Sequence, residues 1–440
     1  MRLLRRIWAL AAVPTVSILL ALLLGSLLII ASSLATEKAL NLLLPLVAYE
    51  SLLQGATGLS FIDVTGGVIS FAPSINPEQA GRALTNTLAA AAPLVLTGLA
   101  VGVGFKAGLF NIGGTGQVLV GGFVAGLVGG MVAQQPVPIA VTIAILAGAL
   151  GGAIYGFIPG ALKAFTGAHE VVSTIMLNSL ASFVIVGLVN DIFKIVGPSF
   201  ARTADVGNAA MPIVFGRNGN LGIFIVLALV GLTYVLIYRT PLGFEIRTVG
   251  ANPSAARYAG MSPRRLIVLT MSLCGMFAGL AGAFEILSLG YYPAVFGTTI
   301  GFGGITVALL GRAHPVGILL AALLLGAMRA GAPSMQITAK IPIEIIDVIQ
   351  GLILLFLAAE AVIRRLMRGR AAPVTPGELG TVSKSYGETT VLWRCCSGCR
   401  SSGSSSSFWR TSSTRSSRRT CPPRRCSSRH RSLSGRCAAS

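Results

Sequence analysis

The residues of this 440-residue chain that can act on another molecule are amides, carboxylates and hydroxyls set inside long apolar stretches. Bond-making constellations are missing from it. The three histidines, His169, His314 and His430, stand apart, and no Gly-Lys pair occurs, so the chain contains no phosphate-cradling G-x-x-x-x-G-K loop. No residue is assigned to catalysis or to a metal. What remains is hydrogen bonding at membrane depth, where a polar group must face protein or a water-filled path. Phe110-Asn111-Ile-Gly113-Gly114-Thr-Gly116-Gln117 sets an amide near each end of a glycine-rich break, which is either a tight turn or part of a solute path. Glu170, Thr174 and Asn178 are four apart and share one helix face. Either Glu170 caps the helix and Asn178 bonds a neighbouring helix, or Thr174 and Asn178 line the path. Glu285, close behind Gly279 and Gly282, sits either on the path or at headgroup level. Gly301, Gly304 and Thr306 lie in a short apolar run that reads as a half-helix and a break before Pro315. Broken helices flanking a midplane site are a recurring transporter device. Glu344, Asp347 and Gln350 share a face at the start of the last apolar run, where they solvate a helix end or meet solute at the outer mouth.

These residues must be held by membrane-spanning helices. The chain is 53% hydrophobic and 11% charged, with 54 glycines, and its mean hydropathy is +0.79. Soluble domains carry about 25% charged residues. Windows of about 20 apolar residues predict an all-α polytopic protein with about ten spans, near 8–33, 84–105, 116–133, 138–161, 171–190, 220–238, 266–289, 301–311, 315–331 and 343–363. The 301–311 run is too short to cross unaided. The 42–53 segment is expected to form an amphipathic helix on the outer interface. Arg2, Arg5 and Arg6 start the chain on the cytoplasmic side, and Arg364, Arg365, Arg368 and Arg370 return it there, which places both termini inside. The run after Arg6 is longer than a cleavable signal's and is read as a retained first span.

The 239–265 segment, between two apolar runs, carries five arginines against Glu245 alone. Such a loop stays cytoplasmic. Pro253 suits the first position of a short helix and Gly260 its stop, so 252–260 is expected to form a basic helix outside the bilayer. The pattern Gly250-Ala-Asn252-Pro253-Ser-Ala255-Ala256-Arg257-Tyr258-Ala-Gly260-Met resembles the coupling loop of ABC-importer permeases of the nucleoside and simple-sugar branch. The Asn111–Gln117 segment is similar to that family's N-I-G-x-E-G-Q, departing at Thr115. His169-Glu170-Val-Val-Ser-Thr174-Ile-Met-Leu-Asn178 is similar to its N-E-V-x-S-T-x-M-L-N. The 301–315 run resembles G-F-x-G-I-x-V-A-L-L-G-x-x-x-P, with Gly303 where the family often has Asp. The likeness covers roughly 84–363 in correct motif order.

That resemblance implies an inner-membrane importer subunit moving a small polar solute, most readily a nucleoside and next a simple sugar, by alternating access. Alternatives are an ion-coupled secondary transporter, a branched-chain amino-acid permease of the same class, and a receptor or scaffold. ATP would bind a separate ATPase subunit docked at Asn252, Pro253, Ala255, Ala256, Arg257, Tyr258 and Gly260, and this chain would bind no cofactor. Further partners implied are a second permease, identical or related, an external substrate-binding lipoprotein, and membrane lipid. The net charge of +20 belongs to span ends and to the tail, and no nucleic-acid partner is expected.

The permease domain is expected over 1–370. The segment 371–440 holds six of the seven cysteines and is rich in Ser and Arg. Such a stretch cannot bury a core, so it is read as disordered or as the product of a shifted reading frame in a GC-rich gene. A zinc site at Cys395, Cys396 and Cys399 with Cys421 and Cys426, and a lipid-binding role, are the weaker alternatives. Truncation after Gly387 is expected to leave folding and transport unchanged; a fall in uptake by the truncated chain would give the tail a function.

Overall fold

The computed structural model describes residues 2–37, 42–65, 68–75, 77–195, 200–216, 219–296 and 299–359. The readings for 371–440 and the closing arginines lie outside the described residues. Thirteen helices carry the described chain: α1 Arg2–Glu37, α2 Leu44–Thr57, α3 Pro77–Lys106, α4 Gly114–Met131, α5 Val137–Ala161, α6 Glu170–Asp191, α7 Gly222–Arg239, α8 Pro241–Ala251, α9 Pro253–Tyr258, α10 Pro263–Leu289, α11 Thr299–Leu310, α12 Pro315–Ala339 and α13 Glu344–Ala358. Eight of them are long and apolar enough to cross a membrane. The remaining two of the ten expected spans correspond to α11, with 12 residues, and α13, with 15 described residues.

The centre of the bundle is α10, packed on α4 and α5. Lipid tails are as apolar as leucine side chains, so membrane helices gain little by merely burying such residues against each other; close approach of backbones substitutes for that drive. Here the approach is extreme. A Cβ added to Gly275 would overlap the carbonyl of Gly152 on α5, and one added to Gly282 would overlap the carbonyl of Val118 on α4. Cys274, beside this seam, is fully buried with its sulfur against the backbone of Gly104. The outer helices α6 and α7 show the complementary pattern. Phe183, Met176 and Leu180 of α6 are exposed, as a lipid-facing surface requires.

A 12-residue helix is about 18 Å long, well short of the ~30 Å hydrocarbon core. α11 is tolerated because most of it is covered by protein: it packs against α3, α4, α12 and α13, with Ile300, Gly301 and Gly303 to Ala308 buried. It joins α12 through a hairpin in which Arg312 and Ala313 both take left-handed backbone angles, φ 52° and 51°. Gly311 and Gly317 lie so close there that neither has room for a Cβ.

The segment expected on the outer interface folds as the helix α2, but its position differs. Ala48, Ser51 and Ala56 are buried, the carbonyl of Leu52 meets Gly331 of α12, and Tyr49 Oη donates to the α1 carbonyl of Leu22 at 2.7 Å. Its small-residue face finds a backbone to pack on, and that outcompetes lying on lipid. Two hairpins not anticipated from the sequence flank the bundle: β1 Leu59–Thr65 with β2 Val68–Ile75, and β3 Ile213–Phe215 with β4 Gly219–Asn220, each antiparallel.

The seam yields a prediction. Gly275→Leu should strip the protein of its sharp thermal unfolding transition in detergent. Gly231→Leu on α7, where no atom lies within 4 Å of the added carbon, should melt like the native chain. Equal melting of the two would show that the seam does not hold the bundle.

Candidate functional site

Three amides close the turn between α3 and α4. Asn111 Nδ2 donates to Gln117 Oε1 at 2.9 Å, and Asn111 Oδ1 accepts from the Gly113 N–H at 3.0 Å. From α6, Asn178 Nδ2 donates to the Ile112 carbonyl at 3.0 Å while its Oδ1 accepts from the Gly116 N–H at 2.8 Å. The first turn of α4 has no side-chain cap of its own, so the Asn178 carbonyl satisfies a donor that would otherwise be orphaned. Thr174 Oγ1 donates to its own helix, at the Glu170 carbonyl, and turns its methyl toward Gly113. Asn111, Gln117 and Thr174 are each at most 1% exposed. The structure thus brings Asn111, Gln117, Thr174 and Asn178 together and occupies their polar groups with one another or with backbone. Glu170 meets Lys163 at 2.5 Å, tying the start of α6 to the π-helical turn Leu162–Thr166 that ends α5.

Gly301 and Gly304 mark where α11 touches its neighbours most closely. An added Cβ at Gly301 would overlap the backbone of Thr115, and one at Gly304 would meet that of Thr97 on α3. Thr306 is buried one turn further along.

Glu285 stands elsewhere. It lines an open cavity of about 500 Å³ together with Pro93 and Ala89 of α3, Phe284 and Ser288 of α10, and Met211 and Asn220 of the 210–220 segment. Cavities of this size accommodate small organic solutes. The cavity lies toward the start of α3 and the end of α10, the bundle end opposite α8 and α9. Sequence reasoning missed Arg329, in the middle of α12, whose Nη2 lies 3.5 Å from Gln350 Oε1 and 3.4 Å from the Thr299 carbonyl. A lone arginine inside an apolar run was the available signal. Glu344 and Asp347 are exposed at the start of α13, whereas Gln350, on the same helix, is buried.

At the other end, the 239–265 loop forms two helices, α8 and α9. Asn252 caps α9 by accepting from the Ser254 and Ala255 N–H groups at 3.0 and 3.1 Å, and Gly260 ends the segment with φ 81°. Asn252, Pro253, Ala255, Arg257 and Gly260 are exposed, and Tyr258 is 95% exposed. Ala256 alone turns inward. It is fully buried among Ala107, Leu109, Ile246, Leu266 and Met271, so its small side chain serves the loop's own packing and cannot also touch a partner. Arg247 of α8 stacks on Tyr238 at 5.3 Å, and Tyr238 contacts His314 at 5.5 Å, which links the loop to the α11–α12 hairpin.

A multi-helix bundle with a half-length buried helix, an open cavity at one end and an exposed basic loop at the other defines a membrane transport protein. The profile of the family described as "Branched-chain amino acid transport system / permease component" matches residues 83–358, and the chain belongs to this permease family. The guanosine ABC transporter permease protein NupP of Bacillus subtilis (strain 168) is 36% identical over 62% of this chain and 80% of its own length. The nucleoside ABC transporter permease protein NupB of Lactococcus lactis subsp. cremoris is 31% identical over 75% of this chain and 94% of its own. The glucose ABC transporter permease protein TsgB13 of Haloferax volcanii is 31% identical over 66% and 79%. No solved structure matches. The chain is a multi-pass permease of the cytoplasmic membrane.

Replacing Asn178 by Leu would leave the Gly116 N–H and the Ile112 carbonyl unsatisfied, at a cost of about 1–3 kcal/mol. The expected result is a lowered melting temperature in detergent, with Asn178→Asp intermediate because it keeps the acceptor. A native melting curve for Asn178→Leu would show that α6 is held by other contacts.

Proposed function

We propose that this chain is the membrane subunit of an ABC importer that moves an uncharged polar solute, a nucleoside in the first place and a simple sugar in the second. The observation that carries this reading is the coincidence of two features: relatives named for guanosine, nucleoside and glucose transport, and an exposed, capped, basic helix α9 set on the bundle like a handle. The family description names branched-chain amino acids, but the relatives covering most of the chain are named for nucleosides and a sugar. ATP binds and is hydrolysed on a separate subunit that grips Asn252, Pro253, Ala255, Arg257, Tyr258 and Gly260. A second permease, identical or related, completes the membrane unit, and an external binding lipoprotein delivers solute to the cavity end.

The mechanics follow from what α9 is attached to. Ala256 and Met271 share one apolar cluster with Ala107 and Leu109, which lead directly into the Asn111 turn. Closure of the ATPase on α9 therefore pushes on α10 and on the α3–α4 turn together. Through Arg247, Tyr238 and His314 the same push reaches the hairpin that fixes α11 and α12. Densely packed elements respond by switching between discrete packings rather than by deforming. The residues Asn111, Gln117, Thr174, Asn178, Gly301, Gly304 and Thr306 then act as the seams along which those packings change, while Glu285 faces the solute.

Two sets of variants test the docking face. Tyr258→Ala and Arg257→Glu should weaken binding of the ATPase subunit at least tenfold and abolish uptake, with an unchanged melting curve, since both side chains are exposed. Ala256→Trp should lower the melting temperature because its pocket is internal. Uptake of guanosine, glucose and leucine into proteoliposomes holding the whole transporter ranks the solutes; leucine alone would overturn the nucleoside and sugar reading, and native ATPase binding by both exposed-face variants would overturn the docking assignment.

A further inference from the structure

Three elements wall the cavity at the bundle end opposite α8 and α9. From α3 come Asn86, Ala89 and Pro93, from α10 Glu285 and Ser288, and from β4 Asn220. The volume, about 500 Å³, is that of a small-solute site. The polar groups on this wall can be sorted by what each offers a ligand. Glu285 makes neither a hydrogen bond nor an ion pair among the described residues. A carboxyl group accepts in either protonation state and, when ionised, only accepts.

Pro93 creates a second acceptor. A helical carbonyl points along the axis at the N–H four residues on, and proline has no N–H to give. Pro93 lies inside α3, so the Ala89 carbonyl has no helical partner. Ala89 and Pro93 share one helix face, and both line the cavity, so the freed carbonyl opens on the cavity side. The third acceptor is Asn220. Its Nδ2 donates to Ser288 Oγ at 2.7 Å, which leaves Asn220 Oδ1 without a partner among the described residues. The Ser288 hydroxyl, having accepted that bond, keeps its own hydrogen to donate. Asn86 carries one amide, with a donor and an acceptor end, and does not shift the balance. Acceptors therefore outweigh donors around one cavity.

We propose that this cavity binds the hydroxyl-bearing sugar ring of the solute, with Glu285, the Ala89 carbonyl and Asn220 Oδ1 accepting from its hydroxyls and Ser288 donating to one of its oxygens. This rests on the importer reading above and names the part of the solute that is recognised. Neighbouring sugar hydroxyls present several donors on a short arc, which is what a wall of unpartnered acceptors selects. A carbonyl-rich pyrimidine base would set acceptor against acceptor. A site built to bond hydroxyls rejects an analogue that lacks them, because its own polar groups are then left unpaired. The ribose of a nucleoside and a simple sugar present the same arc, so a single site serves both solute classes.

The test uses the full chain with its six tail cysteines changed to Ser, Cys274 being buried. Leu289→Cys, exposed on the cavity lining, is labelled with a water-soluble thiol reagent on the purified permease. Uridine, ribose, glucose, uracil, leucine or dideoxyuridine, which lacks the vicinal ribose hydroxyls, is added at millimolar concentration. Uridine, ribose and glucose should each slow labelling at least threefold, and the other three should not. Glu285→Gln and Asn220→Ala should each raise the half-protecting concentration of ribose at least tenfold, with melting within a few degrees of native. Asn220 stands on a hairpin outside the helical bundle, so its variant decides the matter if Glu285→Gln fails to fold. Protection by dideoxyuridine, uracil or leucine equal to that by uridine would overturn the site. So would native protection in the folded variants, or no protection by uridine, ribose and glucose. If the reconstituted transporter takes up neither nucleoside nor sugar while ribose protection still depends on Glu285 and Asn220, the substrate reading fails and the site stands. Uptake of uridine without protection by ribose overturns the site and leaves that reading intact.

Discussion

Everything in this fold hangs on backbones touching backbones. In water, a helix is drawn to its neighbour by the apolar surface both can hide. In lipid that surface is already satisfied, and the contact must come from van der Waals packing, which grows steeply as helix axes approach. Gly148, Gly152 and Gly156 on α5 meet Gly275, Gly279 and Met271 on α10 with no side chain between them, and Gly121 of α4 closes on Gly279 from the other side. The three helices become one block. A block packed this closely has little room to deform, which is the property the proposed coupling needs.

The proposed alternation assigns movement to joints between blocks. The α11–α12 hairpin is one, held in left-handed geometry at Arg312 and Ala313 and touched by the aromatic chain from Tyr238 through His314. The amide-locked turn before α4 is another. There Asn178 contributes two hydrogen bonds to backbone that helix geometry alone would leave bare, so α6 is tied to the block by polar contacts while its opposite face lies in lipid. Polar bonds in a bilayer have fewer competitors than in water, and they define discrete registers rather than a continuum of slides.

Much of this was legible in the sequence. Long apolar windows gave the helices, since a bilayer admits few other solutions, and Asn252, Pro253 and Gly260 signed the start and stop of α9 by local chemistry. The turn at 111–117 was recognisable from glycine and amide spacing, though not that its amides bond one another, because the second partner, Asn178, lies some sixty residues away. Three matters were closed to such reading. The direction in which Ala256 points depends on Leu109 and Met271 arriving from other helices. The seating of α2 depends on Gly331, nearly three hundred residues on. The surroundings of Arg329 depend on Thr299 and Gln350 arriving from α11 and α13, which no run of neighbouring residues records.

Cys274 has a consequence of a different kind. A thiol buried completely within the bundle is out of reach of peroxide and has no second sulfur among the described residues to pair with. The seam beside Cys274 is thus deaf to oxidant and reductant alike. Oxidative stress would spend itself on exposed sulfur such as Met131 and Met176 and leave the contact that holds α10 to its neighbours as it was.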